Sequence, residues 1–501
     1  MIGAVGYKVI TLNRNQKELL QTMNTFTKKS LHVALAGLGT LAMAGTADAV
    51  MVNPNGLGQV LIYPYYTVRS PAGAGIANYN TLLSIVNTTT SQKAVKVRFR
   101  EGKASEEVLD FNVFLTPRDM WTAAVEPDGS GGAQIETSDK TCTIPSFTTG
   151  VPVAFRTGAY TGDAVKDDSV DRLTEGYFEV FEMATYAASD PLSIGAKHKG
   201  GVPKDCTAVT DTSAAATPLL PNGGLFGGAT LINVLTGDAF TEDATALINF
   251  TDTASYFTTG DAGPNWSQTS PSVGVAVAAD GDIVSGFFST GILDPEKSST
   301  MALQKQTVNN EFVGEASTLS GTDWVLTFPT KWAFVLFDGS SVTPPFASKL
   351  SKAGSCDNAT LTTWDREETP VTPGGPDFSP SPTPSGFALC WESNIISFKS
   401  SLGSGIANVL GSGNSYTVTT GFTNGWAQLS YSATAINVST SSTGYTGETG
   451  TTFPASTTFS GLPTIGFAVQ TFVNGTLTDS AGHFIQSSYG GNFGHRYTGP
   501  Q

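Results

Sequence analysis

Charged residues are scarce in this chain of 501 residues, and the two signs are unequally represented. Charged side chains make up 14% of the sequence, against roughly 25% in an average soluble domain. The 42 acidic residues outnumber the 27 basic ones and give a net charge of −15. Nucleic acid and anionic lipid are bound by clustered Lys and Arg, so we expect neither as a partner.

Histidine is also scarce, and this limits the chemistry that the chain can perform. Of four histidines, His198, His483 and His495 follow the N-terminal leader described below. Beyond that leader, the sequence has no Gly-x-Ser-x-Gly, phosphate-binding, dinucleotide-binding or His-Glu-x-x-His motif. We therefore expect no organic cofactor, no zinc site and no catalytic triad.

The first 49 residues have the pattern of an export signal behind an upstream extension. Two lysines precede an apolar stretch over 31–45, and Ala47-Asp48-Ala49 is a small-x-small cleavage site. The pattern predicts a mature chain that begins at Val50. Met23 is the expected start of translation, and the alternative is a genuine leader ahead of it. The apolar stretch is shorter than the ~20 residues of a membrane-spanning helix, so we expect the periplasm, the cell surface or the extracellular space.

Only four cysteines occur, and their even number in an exported chain predicts disulfides. Four cysteines allow three pairings. We favour Cys142–Cys206 and Cys356–Cys390, because each pair closes a loop rich in Gly, Pro, Ser and Thr, and such flexible loops gain most from a cross-link.

Most of the chain alternates with a period of two residues, which is typical of half-buried strands. Residues 94–100 are the clearest case, and we expect them to pair antiparallel with 106–115. Their alternation predicts a buried face and a solvent-facing one, namely Val95, Val97 and Phe99 against Lys96, Arg98 and Arg100. The whole pattern predicts an all-β fold of one or two Ig-like β-sandwiches, with long polar loops and one or two short helices.

Other segments give further local predictions. They are a strand over 58–63 that ends at Pro64, a short helix over 238–247, a helix over 299–313 capped by Ser298 or Ser299, a strand over 332–337, and a type I′ hairpin turn at Asn474-Gly475. Four regions follow from these elements, namely the leader (1–49), a β-sandwich region with loop insertions (50–338), a Pro-rich loop pinned by a disulfide (339–388) and a C-terminal β region (389–501).

Several short segments resemble a family of uncharacterised exported proteins of Gram-negative bacteria. The matching segments lie across the mature chain, at 81–89, 95–99, 108–112, 323–331, 364–368 and 389–392. The resemblance implies export and a shared β fold, and it supplies no catalytic residues.

Acidic loops give one candidate metal site. Asp280-Gly281-Asp282 is a turn with two carboxylates, and Ca²⁺ prefers six to eight oxygen ligands. Asp280 and Asp282 are therefore candidate calcium ligands. Five other acids lie nearby in the sequence and would add to the site: Asp238, Glu242, Asp243, Asp252 and Asp261. The alternative is a set of solvated acidic loops.

Three functions remain open at this point. The first is a non-enzymatic, exported structural protein of the cell surface or extracellular space, with itself, envelope components or glycans as partners. The second is a carbohydrate-binding or adhesive β-sandwich module, which predicts two or three coplanar, exposed aromatic side chains on one face. The third is a secreted glycoside hydrolase with two catalytic carboxylates. The acids close to aromatic residues are Glu175, Glu179, Glu182, Asp365, Glu367, Glu368 and Glu392.

Overall fold

The alternating segments of the sequence assemble into two β-sandwiches that pack against each other. The computed structural model describes residues 49–70, 78–233, 236–270, 273–278, 281, 283–288, 293–335, 342–368, 370–371, 387–403, 405–432, 436–439, 456–478 and 484–499. Strands dominate these residues, so the predicted all-β sandwich fold is confirmed.

The N-terminal half of residues 50–501 contributes eighteen strands among the described residues. They are β1 (Val50–Val52), β2 (Val60–Thr67), β3 (Tyr79–Asn87), β4 (Gln92–Glu101), β5 (Glu107–Leu115), β6 (Met120–Pro127), β7 (Ala133–Glu136), β8 (Thr143–Ile144), β9 (Val153–Ala154), β10 (Glu175–Tyr186), β11 (His198–Lys199), β12 (Val202–Pro203), β13 (Leu225–Phe226), β14 (Gly228–Asn233), β15 (Ala239–Asp243), β16 (Thr245–Ile248), β17 (Val273–Val277) and β18 (Ile283–Phe287).

These strands build the first sandwich. Sheet I has the order β18-β17-β1-β16-β2-β10-β4-β5-β8, and sheet II has the order β15-β14-β3-β6-β7-β9, with β13 paired to β3. Val97 and Phe99 of sheet I share one buried cluster with Ile85 and Trp121 of sheet II. Burial of this apolar surface is the main force that holds the two sheets together.

The C-terminal half contributes fifteen strands in the described part of the chain. They are β19 (Gln304–Lys305), β20 (Thr307–Val313), β21 (Gly321–Thr327), β22 (Asp357–Trp364), β23 (Pro370–Val371), β24 (Phe387–Leu389), β25 (Ser393–Ser400), β26 (Ser415–Thr420), β27 (Asn424–Tyr431), β28 (Ile436–Ser439), β29 (Ser456–Phe459), β30 (Leu462–Pro463), β31 (Phe467–Thr478), β32 (Phe484–Gly494) and β33 (Arg496–Thr498).

The second sandwich is formed by two sheets of these strands. Sheet III has the order β23-β22-β27-β20-β33, with β24 paired to β22, and sheet IV has the order β26-β25-β21-β31-β32. Phe312 and Leu429 of sheet III share a buried cluster with Trp324 and Phe398 of sheet IV. Since β20 and β21 pair with strands beyond residue 389, the C-terminal β region completes its sheets with residues 307–327.

A buried junction joins the two sandwiches. Tyr65 and Phe240 of the first sandwich lie in one apolar cluster with Val325 and Phe467 of the second. Polar contacts cross the same junction: the Thr327 hydroxyl donates to the Pro64 carbonyl at 2.6 Å. The pairing of apolar burial with satisfied backbone groups is typical of a permanent interface.

The helices of the described residues are short. They are α1 (Pro191–Ala196), α2 (Asp211–Ala216), α3 (Asp294–Leu303) and α4 (Lys331–Val335), with 3-10 turns at Val170–Thr174, Cys206–Ala208, Trp266–Gln268 and Ala316–Thr318. None of these helices has the length and apolar character needed to cross a bilayer.

Four local predictions were wrong; for 238–247 and for the second half of 299–313, sheet pairing overrides a helical pattern. Residues 238–247 lie in β15 and β16, and 331–335 form α4 where a strand was expected. The predicted helix over 299–313 begins earlier, at Asp294, and ends at Leu303, so its second half is β20 and its N-cap is Leu293. Asn474-Gly475 lies within β31 at an irregularity in its pairing with β32.

Pro64 does not end the second strand, since β2 continues to Thr67. The register with β10 shifts between Tyr63 and Tyr66, and Pro64 lies in that shift. A β-bulge leaves a residue without a ladder hydrogen bond, so it accommodates a proline that has no N–H to donate.

The pairing of β4 with β5 is confirmed, but the predicted solvent face of β4 is buried. Lys96, Arg98 and Arg100 are 0%, 4% and 5% exposed, respectively. Each cation has a carboxylate partner: Lys96 with Asp110, Arg98 with Glu107 and Arg100 with Glu179. Backbone carbonyls of residues 258–264 cover this face and accept hydrogen bonds from Lys96 and Arg98.

Both predicted disulfides are confirmed. Cys142–Cys206 has a Cα–Cα distance of 5.4 Å, and Cys356–Cys390 has one of 3.8 Å. The first closes the loop that carries α1, and the second ties the start of β22 to the end of β24. Two disulfides fit an oxidising environment.

Candidate functional site

Sheet III has a continuous outer face that follows from the alternation of its strands. Val308, Leu361 and Leu429 point into the core of the second sandwich. Their neighbours along β20, β22 and β27 therefore point outward, because successive side chains of a strand lie on opposite faces.

Strand register arranges these outward residues in rows. The first row is Trp364, Trp426 and Glu311, the second is Thr362, Gln428, Asn309 and Arg496, and the third is Thr360, Ser430, Thr307 and Thr498. We call these eleven residues the outer face of sheet III. The face combines two indole rings with hydroxyl, amide and charged groups.

Trp364 and Trp426 form a stacked pair at one end of this face. Their ring centroids lie 4.1 Å apart with an angle of 11° between the planes, and Trp426 is 41% exposed. Because neighbouring strands are about 4.8 Å apart, the rings stack in the direction that crosses the strands. One face of Trp426 is thus covered by Trp364, and its other face is directed toward β20.

A hydrogen-bonded polar floor lies beside the indole pair. The Gln428 side-chain amide donates to Asn309 Oδ1 at 2.9 Å. The amide of Asn309 in turn donates to Thr307 Oγ1 at 3.3 Å, and the Thr307 and Thr498 hydroxyls lie 2.6 Å apart. These contacts fix the orientation of the amides, which leaves their remaining donors and acceptors at defined positions.

An aromatic wall beside an ordered polar floor suits a ligand with an apolar face and a polar edge. Sugar rings have this character, since their C–H groups stack on aromatic rings while their hydroxyls form hydrogen bonds.

The acids of β10 that were considered for glycoside hydrolysis are buried. Glu179 and Glu182 pair with Arg100 at 2.7 Å and with Lys93 at 2.5 Å. Burial raises the pKa of Glu182, while Lys93 acts in the opposite direction. Glu175 accepts hydrogen bonds from Tyr65 and from the Gly413 backbone at the junction of the sandwiches. These three acids stabilise contacts within the protein.

Glu392 is buried at the same junction and lies apart from the outer face of sheet III. Burial raises its pKa well above the usual range of a carboxyl group, and Lys331 acts in the opposite direction. Such a shift is a common sign of a catalytic acid. The side chain is 1% exposed, however, so a polysaccharide has no route to it.

Asp365, Glu367 and Glu368 follow Trp364 directly and form the turn at the end of β22. The Glu367 backbone N–H donates to Asp365 Oδ1 at 3.0 Å, which closes the turn. Of the seven acids singled out from the sequence, these three lie beside the indole pair.

The calcium prediction remains a prediction. Asp280 and Asp282 lie outside the described residues, and no group of three or more His, Cys, Asp or Glu within them is arranged to hold a metal. Asp238 accepts from Thr236 at 2.8 Å, and Asp261 accepts from the Thr258 backbone at 2.6 Å. Burial raises the pKa of Glu242 to about 7, with Asn492 as its hydrogen-bond donor.

Sequence reasoning missed the central residues of this face. Trp324, an aromatic residue of β21, is fully buried in the core and does not contribute to this face. Trp426 precedes the apolar positions 427 and 429 by one and three residues, and these odd spacings place it on the opposite, outward face. Its meeting with Trp364 depends on the pairing of β22 with β27, which are separated by more than fifty residues.

Comparison with known proteins finds no matching family model, no matching curated protein and no matching solved structure.

Proposed function

We propose that this protein is an exported, non-enzymatic surface or extracellular protein that binds polysaccharide on the outer face of sheet III. The observation that carries the proposal is the stacked pair of Trp364 and Trp426, in which Trp426 is 41% exposed beside the polar floor. The two rings stack on each other and are not coplanar, so the proposed contact for a sugar is the exposed part of Trp426, flanked by amides and hydroxyls. This proposal joins the structural role with the carbohydrate-binding alternative.

The test is retention of the mature chain, residues 50–501, on insoluble polysaccharides. Trp426→Ala should weaken binding about tenfold or more, because it removes the stacking surface. Tyr489→Ala is the matched control, since Tyr489 is 56% exposed on sheet IV and lies away from the face. Binding that is unchanged in Trp426→Ala, or that falls equally in both variants, would contradict the proposal.

Export is part of the same proposal. Two disulfides and a small-x-small site at Ala47-Asp48-Ala49 support it. Surface protease treatment of intact cells and N-terminal sequencing of the exported chain test it. We expect a mature N-terminus at Val50, and retention of the protein in the cytoplasm with residues 1–49 intact would contradict export.

The absence of catalysis is the third part of the proposal. The buried positions of Glu179, Glu182 and Glu392 support it, because an accessible pair of carboxylates is needed for glycoside hydrolysis. Release of reducing ends from the retained polysaccharide is the readout. Turnover that disappears in Glu311→Gln or Glu367→Gln would replace this part of the proposal with a hydrolase.

A further inference from the structure

The outer face of sheet III carries negative charge beside the exposed indole of Trp426. Glu311 lies directly opposite Trp426 in the register of β20 and β27, and its side chain is exposed. Opposed residues on one face have Cβ atoms about 4.5–5.5 Å apart. A sugar ring that packs on the exposed part of Trp426 therefore lies beside the Glu311 carboxylate.

The surroundings strengthen this charge preference. The turn after Trp364 adds Asp365, Glu367 and Glu368 against Arg366 alone. Arg496 lies one row away, and its Nη1 donates to the Gly494 carbonyl at 2.6 Å. The three acids of this turn and the net charge of −15 repel glycans that bear carboxylate or sulfate groups.

We propose that this face selects polysaccharides of unacetylated amino sugars, an inference that rests on the proposed function. The sugar ring stacks on Trp426, and its protonated amine pairs with the Glu311 carboxylate. A cation beside an indole ring gains a further electrostatic attraction to the ring face. An N-acetylated or neutral sugar keeps the stacking contact but lacks the ion pair.

Binding to three insoluble polymers tests the inference: chitosan, chitin and cellulose. We expect the wild-type chain to bind chitosan most tightly. Glu311→Gln should weaken chitosan binding about fivefold, as expected for one exposed ion pair and one cation–π contact together. The same variant should bind chitin and cellulose as the wild type does.

A polycation also binds acidic proteins without specificity, so a matched control is needed. Glu136→Gln removes the same charge from a partly exposed position on the outer face of sheet II. An equal loss of chitosan binding in Glu136→Gln and Glu311→Gln would overturn the inference. Equal binding of all three polymers, with no effect of Glu311→Gln, would also overturn the inference. In that case the proposed function would still stand if Trp426→Ala abolished retention. No retention on any polymer would instead remove the proposed function itself.

Discussion

Arg98 shows how much one charged side chain contributes when a sheet is covered on both faces. Its guanidinium pairs with Glu107 and donates to the carbonyls of Ala262 and Pro264 at 2.6 Å and 2.7 Å. These partners come from β5 and from a loop more than 150 residues away. A buried ion pair of this kind has a small net effect on stability when intact, but loss of one partner is costly.

Arg98→Asp should therefore lower the free energy of unfolding by about 3–5 kcal/mol, because it removes the cation that pairs with Glu107 and the hydrogen bonds to the Ala262 and Pro264 carbonyls, and it adds a like charge. Urea unfolding of the mature chain measures this. The control is Lys140→Asp at an exposed position, for which we expect a change within about 0.5 kcal/mol. Equal unfolding free energies for the two variants would restore the solvent-facing interpretation of β4.

Glu106 makes stability depend on pH. Burial raises its pKa to about 7, with the Glu101 and Asp163 carboxylates adding to the effect. The folded state holds this proton more tightly than the unfolded chain, in which a Glu titrates near about 4.3. The linked stability is therefore fully present below about pH 4 and is lost as the pH rises through about 7.

We expect the Tm of Glu106→Gln to fall less than that of the wild type between about pH 5 and pH 8, because the variant has no proton to release. Glu367→Gln, at an exposed turn, is the control and should follow the wild type. If the Tm of the wild type instead rose over this pH range relative to that of Glu106→Gln, the result would contradict a raised pKa of Glu106 in the folded state.

At the scale of elements, the indole stack depends on the close approach of β22 and β27. Gly425 lies in β27 beside Trp426, and a Cβ atom on it would stand 1.9 Å from the Trp364 carbonyl oxygen. That distance is far below van der Waals contact, so any side chain here separates the two strands. The glycine therefore sets the geometry of the stack through the backbone.

Gly425→Ala should reduce the near-UV circular dichroism of the coupled indoles and lower stability by about 1–3 kcal/mol, as overpacking does. Gly421→Ala provides the comparison, since nothing lies within 4 Å of a Cβ atom at that position. An unchanged indole signal in Gly425→Ala would show that the strands accommodate the methyl group without moving apart.

At the scale of the whole molecule, the two sandwiches share a core. Phe467 is 2% exposed and lies in the cluster that also contains Tyr65 and Phe240 of the first sandwich. The Tyr79 hydroxyl and the Arg69 guanidinium reach the Val409 and Gly411 carbonyls across the same junction. Burial of this kind couples the unfolding of neighbouring domains.

Calorimetry should therefore give one unfolding transition for the mature chain. Phe467→Ala should destabilise it by about 3–5 kcal/mol and shift the whole transition. Phe226→Ala, on a side chain that is 42% exposed, should shift it far less. Two separate transitions, of which Phe467→Ala moves only one, would show that the sandwiches unfold independently.

The sequence by itself determined the all-β class, the pairing of β4 with β5 and both disulfides. Alternation of apolar residues, as at Val95, Val97 and Phe99, is a local property, and four cysteines allow only three pairings. The fold class and the β4–β5 pairing depend on residues that are close along the chain, and the disulfides were chosen from three possible pairings.

Only the tertiary structure decided which segments cover the two faces of each sheet. A period of two residues shows that the two faces of β4 differ, but it does not show that residues 258–264 lie over Lys96 and Arg98. The same holds for the outer face of sheet III, where Glu311, Trp364 and Trp426 come from three strands far apart in sequence. Side chains on such a face become neighbours through the register of strands that are far apart in sequence. That register is fixed by burial of the opposite face of the sheet, and a local sequence pattern does not show which strands will pair.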